Sequence, residues 1–87
     1  MLRNVTATPF SNIRIDPAVT MSLLQRATRE QITLRIGYRE AAGVTTQQVI
    51  LPIAIRGNQL MAFDSEPGRL RDFAIHHITS MMSPDDQ

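Results

Sequence analysis

Residues 32–39 read Ile-Thr-Leu-Arg-Ile-Gly-Tyr-Arg, and the rest of the chain is arranged around them. Ile32, Leu34, Ile36 and Tyr38 alternate with Thr33, Arg35, Gly37 and Arg39. A period of two marks a strand with one face in a core and the other in water. β-Branched and aromatic side chains dominate the buried positions, as a pleated, half-covered surface favours. The wet face offers two arginines with a glycine between them, so a gap without a side chain separates two cations. The residues before this strand read as a helix leading into it, and those after it as strands that pair around it.

Working backwards, Asp16-Pro17 opens the helix, because Asp is a favoured N-cap and Pro fits the first helical position. Val19, Leu23 and Ala27, with Leu24 beside them, form one apolar stripe. Arg26, Arg29 and Glu30 fall mostly away from it, and the helix is expected to end near Glu30 or Gln31. Residues 1–15 have no period. Pro9, Ser11 and Asn12 predict an irregular lead-in or linker, with Asn12–Ile15 as a short extended piece.

Working forwards, Glu40-Ala41-Ala42-Gly43 is a loop whose glycine can take a positive φ. Val44–Arg56 reads as one long strand bent at Pro52, which has no N–H for a sheet ladder. Gly57-Asn58 is a tight turn, and Gln59–Asp64 the next strand. Ser65-Glu66-Pro67-Gly68 turns into a strand over Arg69–Ile75, with Arg71, Phe73 and Ile75 on one face. His76–Thr79 reads as a single helical turn and Ser80–Met82 as a closing strand, with residues 83–87 a disordered tail. The class is mainly β (α+β), and residues 16–82 form one domain. Its expected architecture is an N-terminal helix followed by a five-stranded, strongly bent SH3-like or Sm-like barrel.

Composition narrows the function. At 87 residues the chain is one domain, small enough that folding buries about 60–65% of the unfolded surface. An apolar fraction of 43% and a charged fraction of 20% are ordinary for a globular unit. Cysteine is absent, no apolar run approaches the roughly 18 residues of a membrane span, and no secretory signal opens the chain. A cytoplasmic protein with no membrane partner is the expectation. A net charge of +1 excludes a polycationic nucleic-acid coat. All nine basic residues are arginine, whose planar fork suits phosphate, carboxylate and base edges; a genome rich in arginine codons gives the same bias.

Arg29–Met82 resembles the WYL domain, a module that accompanies helix-turn-helix transcription regulators in bacteria. The resemblance runs through Ile36, Tyr38 and Arg39, then Gly43, Val49 and Pro52, then Leu60–Asp64. It continues through Gly68, Arg71 and Phe73 to Ile75-His76-His77-Ile78. The family pattern is arginine-tyrosine-arginine, a proline-centred strand, W-Y-L-x-A-Y-D and F-R-L-D-R-I. Here W-Y-L falls on Asn58, Gln59 and Leu60, while Ala74, His76 and His77 replace the arginine, aspartate and second arginine of the last motif. The Ile-His-His-Ile variant with its preceding helix looks like the WYL-like segment of actinobacterial helicase-associated proteins. The resemblance implies a non-enzymatic sensor that binds nucleic acid or a nucleotide-like ligand in a basic groove. Such a sensor controls an attached or partner protein that acts on DNA, in transcription regulation or DNA repair.

The candidate anion-binding residues are Arg35, Arg39 and Arg71, with Arg56 at a loop edge and His77 standing in for a family arginine. If the strands of Arg35, Arg39 and Arg71 neighbour one another across the barrel, the three line one groove for phosphates. The competing reading makes them solvated arginines that pair with Glu40, Glu66 or Asp72 for little energy. Histidine at position 77 would make ligand binding pH-sensitive, because an imidazole is the side chain whose charge changes within the physiological pH range. On an extended backbone His76 and His77 point to opposite faces, and without a Cys or third His no metal site is implied.

No serine sits in a nucleophile elbow and no Gly-rich phosphate loop exists, so neither an enzyme nor a cofactor is expected. Asp64, Glu66 and Asp72 flank a turn and read as solvating residues rather than as an acid pair. Tyr38, Phe63 and Phe73 alternate into the expected core, leaving Phe10 as the exposed ring for base stacking. The five methionines read as fillers of core gaps. An interaction or self-association module, including a homodimer through barrel edges, is the second reading. In it the losses at Asn58, Gln59 and Ala74 mark a decayed ligand site.

Overall fold

Helix α1 spans Pro17–Glu30 in the computed structural model, which describes residues 13–14 and 17–83. It begins on the proline, whose fixed φ suits a first helical turn; the cap expected at Asp16 lies outside the described residues. Thr20, Leu23, Leu24 and Ala27 form the buried stripe, while Val19, expected on it, is 42% exposed. A stripe stepping by four residues drifts about 40° per step, whereas spacings of three and four together stay on one side. Gln31 ends the helix at φ 57°, and the Ile32 N–H donates to the Ala27 carbonyl at 2.9 Å. This six-to-one bond is a Schellman ending, which satisfies a carbonyl orphaned at the helix end. Ile32 is therefore part of the helix cap, and the strand expected from it starts at Leu34.

Five strands pair antiparallel in the order β6-β2-β3-β4-β5: β2 (Leu34–Arg39), β3 (Thr45–Arg56), β4 (Gln59–Asp64), β5 (Arg69–Ala74) and β6 (Ile78–Met82). A sixth, β1 (Ile13–Arg14), pairs with the other edge of β6, so the short extended piece of the lead-in joins the sheet. Residues 1–12 and 15, the rest of the lead-in, and residues 84–87, most of the expected tail, lie outside the described residues. Gly43 holds φ 87° in the β2–β3 loop, as expected of it. β3 is one bent strand: its register with β4 shifts between Pro52 and Ala54, leaving Ile53 as an extra, exposed residue. A bulge beside a proline relieves the ladder where it lacks an N–H.

The bent sheet curls until the end of β5 meets β2. Tyr38 Oη accepts a hydrogen bond from the Ala74 N–H at 2.9 Å, and its ring stands edge-on to Phe73 at 5.0 Å. A 3-10 turn over Ile75–His77 then carries the chain from β5 to β6, which returns to β2. The result is the helix and strongly bent, barrel-like sheet of five strands that the pattern predicts, extended by the short β1. Leu24, Leu34, Ile36, Ile50, Leu60 and Phe73 are fully buried inside it, each contributing about 1.5–3 kcal/mol over exposure. α1 packs mainly against β3.

On β4, Leu60, Ala62 and Asp64 face inward. Phe63, expected in the core, is 39% exposed. The pairs Ile50–Asp64 and Pro52–Ala62 set which alternate faces the core, and Phe63 is on the other side.

Candidate nucleic-acid interface

The face of β2 turned away from the core carries Arg35, Gly37 and Arg39. On one side β3 places Val49, Gln47 and Thr45 opposite them, and on the other β6 places Met82 opposite Arg35 and Ser80 opposite Gly37. The β2–β6 register slips between Gly37 and Tyr38, leaving Thr79 unmatched. Such a bulge sets two residues against one, so Thr79 and Ser80 both stand over Gly37. Their hydroxyls lie 2.7 Å from the point a Gly37 Cβ would occupy, and Gln47 Nε2 lies 3.4 Å from it. Gly37, expected on the wet face, is itself buried under these groups. The gap between the arginines has a glycine floor covered by these polar groups.

β2, β3 and β6 contain no Asp or Glu. Arg35 is half-buried, and its Nε is cut off from solvent without a hydrogen-bond partner. Neither Arg35 nor the exposed Arg39 has an ion-pair partner among the described residues. A cation drawn partly out of water without a counter-ion is costly, and an anionic ligand relieves that cost.

Arg71 has the opposite surroundings. It sits across from Ala62 on the inward side of β5, with its guanidinium 4.7 Å from the Phe73 ring centroid. Nη1 donates to Asp64 Oδ2 at 2.9 Å, and Nη2 lies 3.9 Å from Glu40 Oε1. Asp64, read from the sequence as a solvating turn residue, is 0% exposed. Its other oxygen accepts the Glu66 N–H at 3.2 Å, which ties the buried charge to the β4–β5 turn.

Arg56 is exposed at the β3–β4 hairpin, opposite Gln59. His77 is half-buried, 5.9 Å from the Tyr38 ring and 4.4 Å from that of His76, centroid to centroid. The two imidazoles therefore touch edge to face in the 3-10 turn rather than pointing to opposite faces of a strand. Of the five candidates, Arg35 and Arg39 share one face of β2, while Arg71 binds carboxylates, Arg56 stands at a hairpin and His77 packs on Tyr38. Among the described residues no three His, Cys, Asp or Glu are grouped to hold a metal, and no helix is long and apolar enough to cross a membrane.

The same outer face continues past the arginines into an apolar row. Arg35 pairs with Val49; Leu51, next on that side of β3, pairs with Phe63, which pairs with Leu70. Phe63 is 39% and Leu70 55% exposed. Sequence reasoning missed Phe63, Gln47, Thr79 and Ser80. Leu60, Met61, Ala62 and Phe63 are all apolar and gave no signal for the first, and the bulge that gathers the last two left none.

No family model and no curated protein matches the chain. Among solved structures, it is similar to part of proteasome accessory factor B/C (PafBC) of Arthrobacter aurescens, with a TM-score of 0.72 and 18% identity. The fold is WYL-like. The match covers 82% of this chain and 12% of the PafBC chain, so this chain corresponds to a small part of that protein.

Proposed function

We propose that this chain is a non-enzymatic accessory domain that binds single-stranded nucleic acid, or a nucleotide-like ligand, on the outer face of β2–β4. As part or partner of a DNA-acting protein, a transcription regulator or a helicase-type protein, it reports that ligand. The observation that carries the reading is the pair Arg35 and Arg39, without an ion-pair partner among the described residues, on a face continuous with the exposed Phe63 ring. Guanidinium forks hold phosphates, and a ring stacks unpaired bases. Arg71 serves the fold through Asp64, and Arg56 and His77 are secondary contacts.

A two-dimensional amide NMR titration with a short single-stranded oligonucleotide, at low and then moderate salt, tests this. Shifts at Arg35, Gly37, Arg39 and Phe63 that weaken with salt are expected. A silent spectrum at high oligonucleotide concentration overturns the proposal.

The exposure of Phe63 and Leu70 in one apolar row favours a second reading, a protein-interaction or self-association module. An apolar interface of that kind holds as salt rises, whereas phosphate binding falls.

A further inference from the structure

We infer that the polar cluster over Gly37 is a seat for a phosphomonoester, a phosphate group with three unshared oxygens. The inference rests on the proposed phosphate-binding role of this face and names what it selects. Thr79 Oγ1, Ser80 Oγ and Gln47 Nε2 come from two different strands and converge within 3.4 Å of one point. Among the described residues no hydrogen bond engages any of the three. Thr79 and Gln47 are exposed and Ser80 half-buried, so the cluster opens to solvent.

The floor is Gly37, whose missing side chain lets the two hydroxyls close over it: a Cβ there would lie 2.7 Å from both. Arg35 and Arg39 stand two residues either side of that floor, about 7 Å along the strand, within reach of an arginine side chain. No acidic residue on the three strands repels an anion.

Three neutral donors between two guanidinium groups fit a terminal phosphate better than an internal one. A phosphomonoester presents three free oxygens and, with a second pKa of about 6, carries close to two charges at neutral pH. An internal phosphodiester offers two free oxygens and one charge. The group bound is therefore the end of a strand or a free nucleoside monophosphate, each carrying the same chemistry.

The test compares two oligothymidylates of equal length, one 5′-phosphorylated and one 5′-hydroxyl, binding to the full chain by fluorescence anisotropy and amide NMR. The phosphorylated strand is expected to bind at least tenfold more tightly, with shifts at Gly37, Gln47, Thr79 and Ser80. The Thr79→Val/Ser80→Ala variant should bind both strands equally while keeping the shifts at Arg35 and Arg39. Gln47→Leu, at an exposed position on the facing strand, gives the same readout if the double variant fails to fold. Adenosine monophosphate that abolishes the difference assigns the seat to any phosphomonoester; a difference that persists assigns it to strand ends. Equal affinity of the two strands, with binding retained at Arg35 and Arg39, overturns this inference and leaves the proposed function standing. Failure of both strands to bind overturns both.

Discussion

Arg71 and Arg35 stand on opposite sides of the same sheet, and their neighbours give them different work. Arg71 faces inward, hydrogen-bonded to the fully buried Asp64 and close to Glu40. Arg35 faces outward among strands that contain no acid, half-buried and, among the described residues, without an ion-pair partner. The first cation is neutralised within the fold and holds the β4–β5 turn against the barrel. In the proposed function a ligand neutralises the second. The carboxylates around each side chain, rather than its position in a motif, set these two arginines apart.

Breaking the inward pair should have the largest effect. Arg71→Met strands the Asp64 carboxylate in the core, and a loss of about 3 kcal/mol is expected from urea unfolding midpoints. Affinity for single-stranded DNA should hardly move. A variant as stable as the parent chain would show that the two arginines are not so different. Tyr38→Phe comes next: it removes the acceptor of the Ala74 N–H at the barrel seam, for about 1–2 kcal/mol in thermal unfolding.

Outward changes act on affinity instead. Phe63→Ala should weaken single-strand binding by about 1–2 kcal/mol while lowering the unfolding midpoint less than the same truncation of the fully buried Phe73, because the Phe63 ring is 39% exposed. Fluorescence anisotropy with a labelled oligothymidylate reads this directly, and a stability loss without an affinity loss would return Phe63 to the core. The smallest stability effect belongs to Arg35→Ala, expected within about 0.5 kcal/mol of the parent. Its signature is a lower affinity with a shallower salt dependence.

Much of this arrangement was legible in the chain. Alternation from Leu34 to Arg39 defines β2, the lone Pro52 marks the bend of β3, and Gly43 takes the positive φ its loop requires. The limits have physical causes. Gln31 adopts a backbone region that favours glycine, so the sequence did not announce that Ile32 would close a helix instead of starting a strand. Met61 and Phe63 are as apolar as Leu60 and Ala62, and only pairing with Ile50 and Pro52 decides which set turns inward.

The site divides in the same way. Arg35 and Arg39 follow from a period of two, which is local. The Arg71–Asp64 pair depends on how many residues the turn between β4 and β5 consumes. The cluster over Gly37 depends on a bulge opposite it, a feature of two strands that are distant in sequence.

The central claim is that the uncompensated arginines of β2 bind phosphate. Its most direct test is the affinity of a single-stranded oligonucleotide for the full chain across a range of salt, compared with Arg35→Ala/Arg39→Ala. Binding by the parent should fall steeply as salt rises, and the double variant should lose about 0.7 of logarithmic slope for each arginine removed. A slope that the double variant shares with its parent would contradict the account.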